Sequence, residues 1–371
     1  MSTINENISN MSENIANTHK VRNSNLELYR VIVMLLIVAH HYVVNSGLIQ
    51  VMEKNPLAGD SIFLYLFGMW GKIGINCFVL ITGYFMCKSS ITIRKFLKLI
   101  LEVLFYNILI YIIFILFGYE SFSITGCLKV LFPIRNIATN FTACFLAFYL
   151  FIPFLTILVQ SLNDKQHRLL IYLCLFVYTI LGTIPKCHVI MNYVSWFSVL
   201  FIIASYISRY GFFKSVTHRQ WGFLTLASCI ISMLSVMALL LLPKMLNIAY
   251  IYPYRFVADS NVALALITSI CSFMFFKDLK MKQNHLVNVL GASTFGVLLI
   301  HANSNTMREW LWQDLLNNVG MYNSDLLIAH ALVSVLAIFF VCVLVDYIRI
   351  HSIERWLFLF VDKLLLKYNL K

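Results

Sequence analysis

Long runs of apolar residues, separated by short polar segments, make up most of this chain. A helix needs about 20 mainly apolar residues to cross a bilayer, and the hydrogen-bonding groups of its backbone are all satisfied within it. The pattern therefore predicts an all-α, polytopic membrane protein with about ten transmembrane helices. They lie at residues 26–45, 71–87, 96–117, 141–160, 168–184, 193–208, 221–242, 260–276, 287–302 and 326–346.

The first apolar run, LELYRVIVMLLIVAHHYVVN, carries ionisable residues on one side. At about 100° per residue, the step of eleven from Arg30 to His41 is three turns plus roughly 20°, so the two share a helix face. Glu27 and Asn45 widen this stripe, whereas His40 lies roughly 80° away from it. An ionisable residue near the middle of a bilayer is costly and indicates a functional site. A neutral histidine hydrogen-bonded between helices is the structural alternative.

A second polar cluster follows the glycine-rich second run, GKIGINCFVLITGYF, in which the glycines indicate close helix packing. Arg94, Lys95 and Lys98 lie at the start of the third run, and Glu102 lies one turn further in. An arginine fork and lysine point charges suit the phosphates of a nucleotide-like ligand. The same residues also fit an ordinary accumulation of cytoplasmic positive charge.

A third cluster lies in the ninth run, GASTFGVLLIHANSN. Thr294, His301 and Asn305 follow at steps of seven and four, which places them on one face of a continuous helix. A single histidine near the outer end of a span is more often structural or interfacial than catalytic. Together with His41, however, His301 supplies a second titratable imidazole on a helix that borders the same predicted cavity.

Composition and charge agree with a membrane protein and indicate its orientation. Hydrophobic residues make up 60% of the chain and charged residues only 12%. If the N-terminus is cytoplasmic, twenty of the 28 Lys and Arg residues fall in cytoplasmic segments, as the positive-inside rule requires. The net charge of +12 therefore reflects topology, and a nucleic-acid partner is not needed to explain it.

The polar pattern divides the chain into three parts. Residues 1–25 are expected to form a disordered cytoplasmic tail, residues 26–349 the transmembrane domain, and residues 350–371 a cytoplasmic amphipathic helix lying on membrane lipids. Residues 61–70, which precede the second run, fit an interfacial segment. They also fit the first part of one long, tilted span to Phe85, with Lys72 in its middle. The Cys and His residues show no zinc-site spacing, so no metal is expected.

Several of these segments together resemble the membrane-bound acyltransferase 3 family, over about residues 25 to 350. The resemblance is carried by Arg30 and His41, GKIGINCFVLITGYF, the Arg94–Lys98 cluster, FLAFYLFIPFL around Pro153, STFGVLLIH, and VDYIR. Members of this family typically move an acetyl or other acyl group from a cytosolic coenzyme A thioester onto surface sugars. The chain departs from the family at Thr82, where a serine is frequent, and at Lys95 and Lys98, which replace arginines.

The resemblance implies roles for particular residues. His41 is the essential histidine, and Arg30 with Arg94, Lys95 and Lys98 binds the donor, acetyl-CoA or another acyl-CoA. From their positions in the chain rather than from the resemblance, Glu27, Glu102, His301 and Asn305 are supporting or substrate-contacting candidates. A histidine exchanges protons near neutral pH, so His41 is suited both to act as general base and to carry the acyl group. The sequence does not choose between these two mechanisms.

The expected protein is thus a multi-pass O-acyltransferase of a bacterial plasma membrane. Its acceptor is a hydroxyl of a cell-surface or lipid-linked carbohydrate, and a separate extracytoplasmic transferase or polysaccharide-assembly protein completes the transfer if this chain does not act alone. The alternative function is a secondary transporter or flippase for a lipid-linked sugar or small anion, with the buried histidines and arginine as a relay or binding site. Against transport, the two halves of the chain show no corresponding pair of interrupted helices.

Overall fold

The computed structural model describes residues 22–137, 140–184, 187, 189, 191–249 and 251–367, and the regular structure in these residues is helical. Most of the predicted N-terminal tail, residues 1–21, lies outside the described residues. The helices are α1 (Ser24–Val44), α2 (Leu48–Lys54), α3 (Gly59–Gly68), α4 (Gly71–Met86), α5 (Ile93–Leu116), α6 (Ile124–Leu131), α7 (Phe141–Ser161), α8 (Asp164–Cys174), α9 (Tyr193–Tyr210), α10 (His218–Leu246), α11 (Ala263–Lys277), α12 (His285–Ala292), α13 (Thr294–His301), α14 (Asn305–Glu309), α15 (Leu327–Arg349) and α16 (Arg355–Lys367).

Shorter helical segments extend several of these helices. A π-helical segment, Leu175–Ile180, continues α8 to residue 183, and others follow α14 at Trp310–Leu315 and α15 at Ile350–Glu354. A 3₁₀ turn, Pro133–Asn136, lies between α6 and α7.

The predicted class of an all-α, polytopic membrane protein is confirmed. Within the described part of the chain, seven helical stretches are long and apolar enough to cross a membrane, and an eighth does so if the bent stretch from His285 to Leu315 is one span. Of the other predicted spans, α11 is a shorter apolar helix. The count of ten and the cytoplasmic N-terminus stay predictions.

The stretch before the second predicted span takes the longer of its two predicted forms. α3 and α4 are separated by only two residues and together form one apolar stretch of 28 residues, Gly59–Met86. Lys72 consequently lies within this stretch rather than at its edge.

α1 and α4 form the centre of the bundle, and glycines allow their close approach. A side chain at Gly74 would collide with Ile37 of α1, and one at Gly71 would collide with the ring of His40. On the other side of α4, Gly83 lies against Ala204 of α9. The close packing predicted from the glycines of the second run is therefore present.

The C-terminal helix is present but is not a separate element. α15 continues through the π-helical segment Ile350–Glu354 into α16, which ends at Lys367 in the described residues. Phe358 and Val361 of α16 are buried, whereas Phe360 and Leu364 are exposed. The guanidinium of Arg94 on α5 lies over the Phe358 ring, 4.9 Å from its centroid, so α16 packs against the beginning of α5.

Candidate active site

Two histidines from different helices are hydrogen-bonded at the centre of the candidate site. Nδ1 of His41, near the end of α1, lies 2.9 Å from Nε2 of His301, the last residue of α13. The ring of His301 is fully buried, whereas that of His41 is partly exposed. His301 therefore lies behind His41 and holds it from the protein side.

The hydrogen-bond partners determine which nitrogen of each neutral ring carries the proton. Nδ1 of His301 lies 2.6 Å from the carbonyl oxygen of Val297, and because a carbonyl only accepts, this nitrogen must donate. Nε2 of His301 is then an acceptor, so Nδ1 of His41 donates to it. The lone pair of His41 is consequently on Nε2, the nitrogen that a base or nucleophile would use.

His41 borders a cavity of about 980 Å³. The cavity extends along α1 from His41 to Met34, about two turns away, and reaches Thr82 on α4 and Val103 on α5. Its other end is lined by the segment between α5 and α7 and by residues 302–308, both predicted to be on the outer side. This volume is in the range of sites for small molecules and cofactors.

The part of the cavity wall that follows His301 in the chain depends on a break in the helix at this point. Ser304 caps α14 by accepting a hydrogen bond from the backbone N–H of Met307 at 3.1 Å, as serines at helix starts do. The chain bends by 98° between the helical stretches ending at His301 and beginning at Asn305. The prediction that Asn305 and His301 share one continuous helix face is therefore wrong. Asn305 nevertheless lines the cavity that His41 borders.

The stripe predicted on α1 faces the helix pair α12–α13. Glu27 packs against Gly291 of α12, just as His41 contacts His301 of α13, so the helices run in the same direction. A guanidinium nitrogen of Arg30 lies 3.9 Å from Glu27 Oε2, and one of Arg22 lies 3.2 Å from Glu27 Oε1. Arg30 is about 16 Å of helix from His41 and is outside the set of described residues that line the cavity.

The three predicted donor-binding cations on α5 contact other parts of the chain. Nε and NH2 of Arg94 donate to the two carboxylate oxygens of Asp362 on α16, at 2.7 and 3.0 Å. Lys98 forms an ion pair with Glu354, and Lys95 donates to Ser89 Oγ at 2.7 Å. The three cations are exposed at the start of α5. None of them is among the described residues that line the cavity of His41.

Glu102 belongs to a buried ionic network rather than to the cavity wall. Its Oε1 accepts from Arg349 NH2 at 3.0 Å. Arg349 also contacts Asp346 at 2.9 Å and Glu354 at 2.7 Å, and Tyr106 donates to Asp346 at 2.7 Å. Arg349 is 5% exposed. This one buried arginine contacts three carboxylates and joins α5 to α15, and it shares Glu354 with Lys98.

Several residues near His41 were not assigned a role from the sequence. His40 lines the cavity, and its Nδ1 lies 2.5 Å from the carbonyl oxygen of Gly68, to which it donates. Lys72 and Arg308 also line the cavity. A usable signal for Arg308 was the motif HANSN before it, because Ser304 is a typical helix start.

The comparisons with known proteins gave one match. The model of the acyltransferase 3 family, described as an acyltransferase domain, matches residues 23–347. No curated protein and no solved structure matches the chain.

Proposed function

Because the chain belongs to the acyltransferase 3 family and is thus a membrane acyltransferase, we propose that it moves an acyl group from acyl-CoA to a carbohydrate hydroxyl, with His41 as the reacting base or acyl carrier. One observation carries the assignment to His41. Its Nδ1 is held by His301, and the ring is exposed to a cavity large enough for substrates.

Either mechanism uses Nε2 of His41. As a general base, it takes the proton of the acceptor hydroxyl while the oxygen attacks the thioester carbonyl; the C–S bond breaks, and the departing thiolate takes the proton. As a nucleophile, Nε2 attacks the thioester carbonyl and the C–S bond breaks, which releases the CoA thiolate. The acceptor oxygen then displaces the imidazole from the acyl group, and the hydroxyl proton passes to water, from which the thiolate is protonated. In both cases His301 keeps the imidazole in the required tautomer and orientation.

The proposed donor is acetyl-CoA or another acyl-CoA, and its phosphates are proposed to bind at the start of α5. Arg94, Lys95 and Lys98 supply positive charge there. The side chains of Arg94 and Lys98, which form ion pairs, are about half exposed. Arg30 lies on the same predicted cytoplasmic side. Donor phosphates would compete with Asp362 for Arg94 and with Glu354 for Lys98.

The proposal agrees better with the family than the alternative of transport does. A transporter would also use buried ionisable groups, but an acyltransferase family model covers nearly the whole described domain. The acceptor carbohydrate is proposed to enter from the predicted outer side, where the cavity is bordered by residues 302–308 and by the segment between α5 and α7.

The test is acceptor-dependent release of CoA by the full-length protein in lipid vesicles. With radiolabelled acetyl-CoA and a panel of glycolipid acceptors, the wild type should release CoA and label an acceptor. His41→Ala should lower the rate by about 10²- to 10⁴-fold, whereas His285→Ala, an exposed histidine at the start of α12, should leave it unchanged.

The same assay separates the two mechanisms. An acyl carrier should release about one CoA per protein before any acceptor is added, and a general base should release none. Transport of radiolabel without free CoA, or an active and well-expressed His41→Ala variant, would overturn the proposed function.

A further inference from the structure

The cavity beside His41 has a positively charged wall. Among its described lining residues are Lys72, Lys129, Arg135 and Arg308, against one carboxylate, Glu120. Glu120 is itself engaged by the hydroxyl of Thr306, which donates to it. Lys129 and Arg135 are exposed in the segment between α5 and α7, whereas Lys72 and Arg308 are partly buried.

The two partly buried cations have neutral contacts. Arg308 donates to the side-chain oxygen of Asn305 and to the carbonyl of Ala302, both at 3.2 Å, and its buried Nε makes no hydrogen bond. Lys72 donates to the hydroxyl of Tyr193 at 2.5 Å. Within the described residues, neither cation is among the ion pairs with Asp or Glu.

Two cations without counter-charge in a low-dielectric site are costly unless an anion joins them. Both line the cavity that His41 borders, and they come from different helices, Lys72 from α4 and Arg308 from α14. An anion bound by both would therefore lie in the same cavity as the reacting nitrogen. An arginine fork and a lysine are well suited to phosphate or carboxylate oxygens.

We propose that Lys72 and Arg308 bind an anionic group, a phosphate or a carboxylate, carried by the carbohydrate acceptor. Binding this group places a neighbouring sugar hydroxyl at Nε2 of His41. The inference rests on the proposed acyl transfer and narrows its acceptor to an anionic carbohydrate, such as a lipid-linked sugar phosphate or a uronic acid.

The acceptor, rather than the donor, is the partner that fits this position. The cations proposed for CoA phosphates, Arg94, Lys95 and Lys98, precede the cavity residue Val103 on α5. Arg308 instead belongs to the segment that borders the outer end of the cavity, and Lys72 donates to Tyr193 at the start of α9. All phosphates of CoA lie on its nucleotide, so a CoA molecule held by that nucleotide at the start of α5 extends only its uncharged pantetheine arm into the cavity.

Binding is measured first, because it does not depend on catalysis. The full-length protein in lipid nanodiscs is titrated with three probes: octyl glucoside, which is neutral, octyl glucuronide, which carries a carboxylate, and farnesyl-diphosphate-linked glucose, which carries phosphates. At least one anionic probe should bind at least about ten times more tightly than octyl glucoside. The probe that does so identifies either the phosphate or the carboxylate as the recognised group.

Charge-removing variants assign the preference to the two cations. Lys72→Gln and Arg308→Gln should each weaken binding of the anionic probe by about tenfold or more, with little effect on the neutral probe. The matched controls Lys54→Gln and Arg255→Gln, which remove exposed cations outside the cavity, should retain it. Lys72→Arg and Arg308→Lys keep the charge and should retain part of the preference for the anionic probe. They provide the test if the glutamine variants do not fold.

Equal binding of the three probes, or an anion preference that survives in the Lys72→Gln, Arg308→Gln double variant, would overturn the inference. His41→Ala should bind the anionic probe as well as the wild type does. If the wild type binds anions but releases no CoA with any acceptor, the proposed acyl transfer fails while the anion site stands. If CoA release is equal with neutral and anionic acceptors, acyl transfer stands and the anion site fails.

Discussion

Gly296 of α13 lies directly against the carboxyl group of Asp346 on α15, so closely that any side chain there would collide with it. His301 follows five residues later on the same short helix. Asp346 is in turn bonded to Arg349 and Tyr106. The position of His301, and through it the orientation of His41, therefore depends on how closely α13 packs on the ionic network.

Gly296→Ala should lower both stability and acyl transfer. The added Cβ must displace Asp346 or α13, and overpacking of this kind costs about 1–3 kcal/mol. Thermal unfolding and CoA release of the purified variant measure the two effects. Gly59→Ala is the matched control, since no atom lies within 4 Å of a Cβ placed there, and equal behaviour of the two variants would contradict the close packing.

Arg349→Met should destabilise the protein far more than an exposed arginine change. It leaves Glu102 and Asp346 without their counter-charge and Glu354 with Lys98 alone, and loss of one partner from a buried ionic group costs about 3–5 kcal/mol. Arg168→Met removes an exposed ion pair with Asp164, which contributes about 1 kcal/mol or less. The comparison is the denaturation midpoint of each variant in the same detergent, and similar midpoints would argue against a buried network.

His301→Ala should reduce kcat for acyl transfer by about 10²-fold, because an unheld imidazole loses its tautomer and its alignment with the substrate. His301→Gln should retain more activity than His301→Ala, since its amide oxygen offers His41 an acceptor. The KM for acyl-CoA should change little in either variant. Wild-type rates in well-expressed His301→Ala would remove His301 from its positioning role.

The parts of the site that follow from one continuous helix were predictable from the sequence. The eleven-residue step predicts the common face of Arg30 and His41, and the glycines of GKIGINCFVLITGYF predict the close approach of α4 to α1. Both are local periodicities, which the helical repeat converts directly into direction. His41 and His301 were accordingly expected at one cavity, although the structure places His301 behind His41 rather than on the cavity wall.

The parts that depend on distant pairing were not predictable in this way. Arg349 and Glu102 are separated by 247 positions in the chain, and no spacing rule connects them. The Arg94–Asp362 pair joins two clusters that the sequence suggested were separate elements. Asn305 shows a different limit of the sequence argument. Its predicted position assumed that the helical periodicity continues past His301, whereas Ser304 begins a new helix there.

Asp362→Asn should lower the KM for acyl-CoA if Arg94 binds donor phosphates, because it removes the carboxylate that competes for the same guanidinium. The pair is partly exposed, so its loss is expected to contribute about 1 kcal/mol at most, or roughly a fivefold change. Arg94→Ala should raise the KM, whereas Lys214→Ala, which removes an exposed cation elsewhere, should not.

Asp278→Asn, which removes an exposed carboxylate paired with Lys277, is the control for charge removal at a distance. A raised KM in both Asp362→Asn and Arg94→Ala would instead indicate that the pair serves only to hold α16 against α5.

The orientation of the bundle is tested by cysteine labelling, and the native chain contains a suitable probe. Cys187 is exposed and lies in a segment predicted to be outside, so a membrane-impermeant maleimide should label intact cells expressing the wild type. Labelling should fall sharply in Cys187→Ser. In a Cys127→Ser, Cys187→Ser background, Lys165→Cys places an exposed thiol at the start of α8 and should react only after the cells are permeabilised, because positive segments stay cytoplasmic.

If Lys165→Cys reacts in intact cells and Cys187 does not, the bundle is inverted. The cations at the start of α5 would then face away from cytosolic acyl-CoA, and the proposed donor site would be excluded together with the orientation.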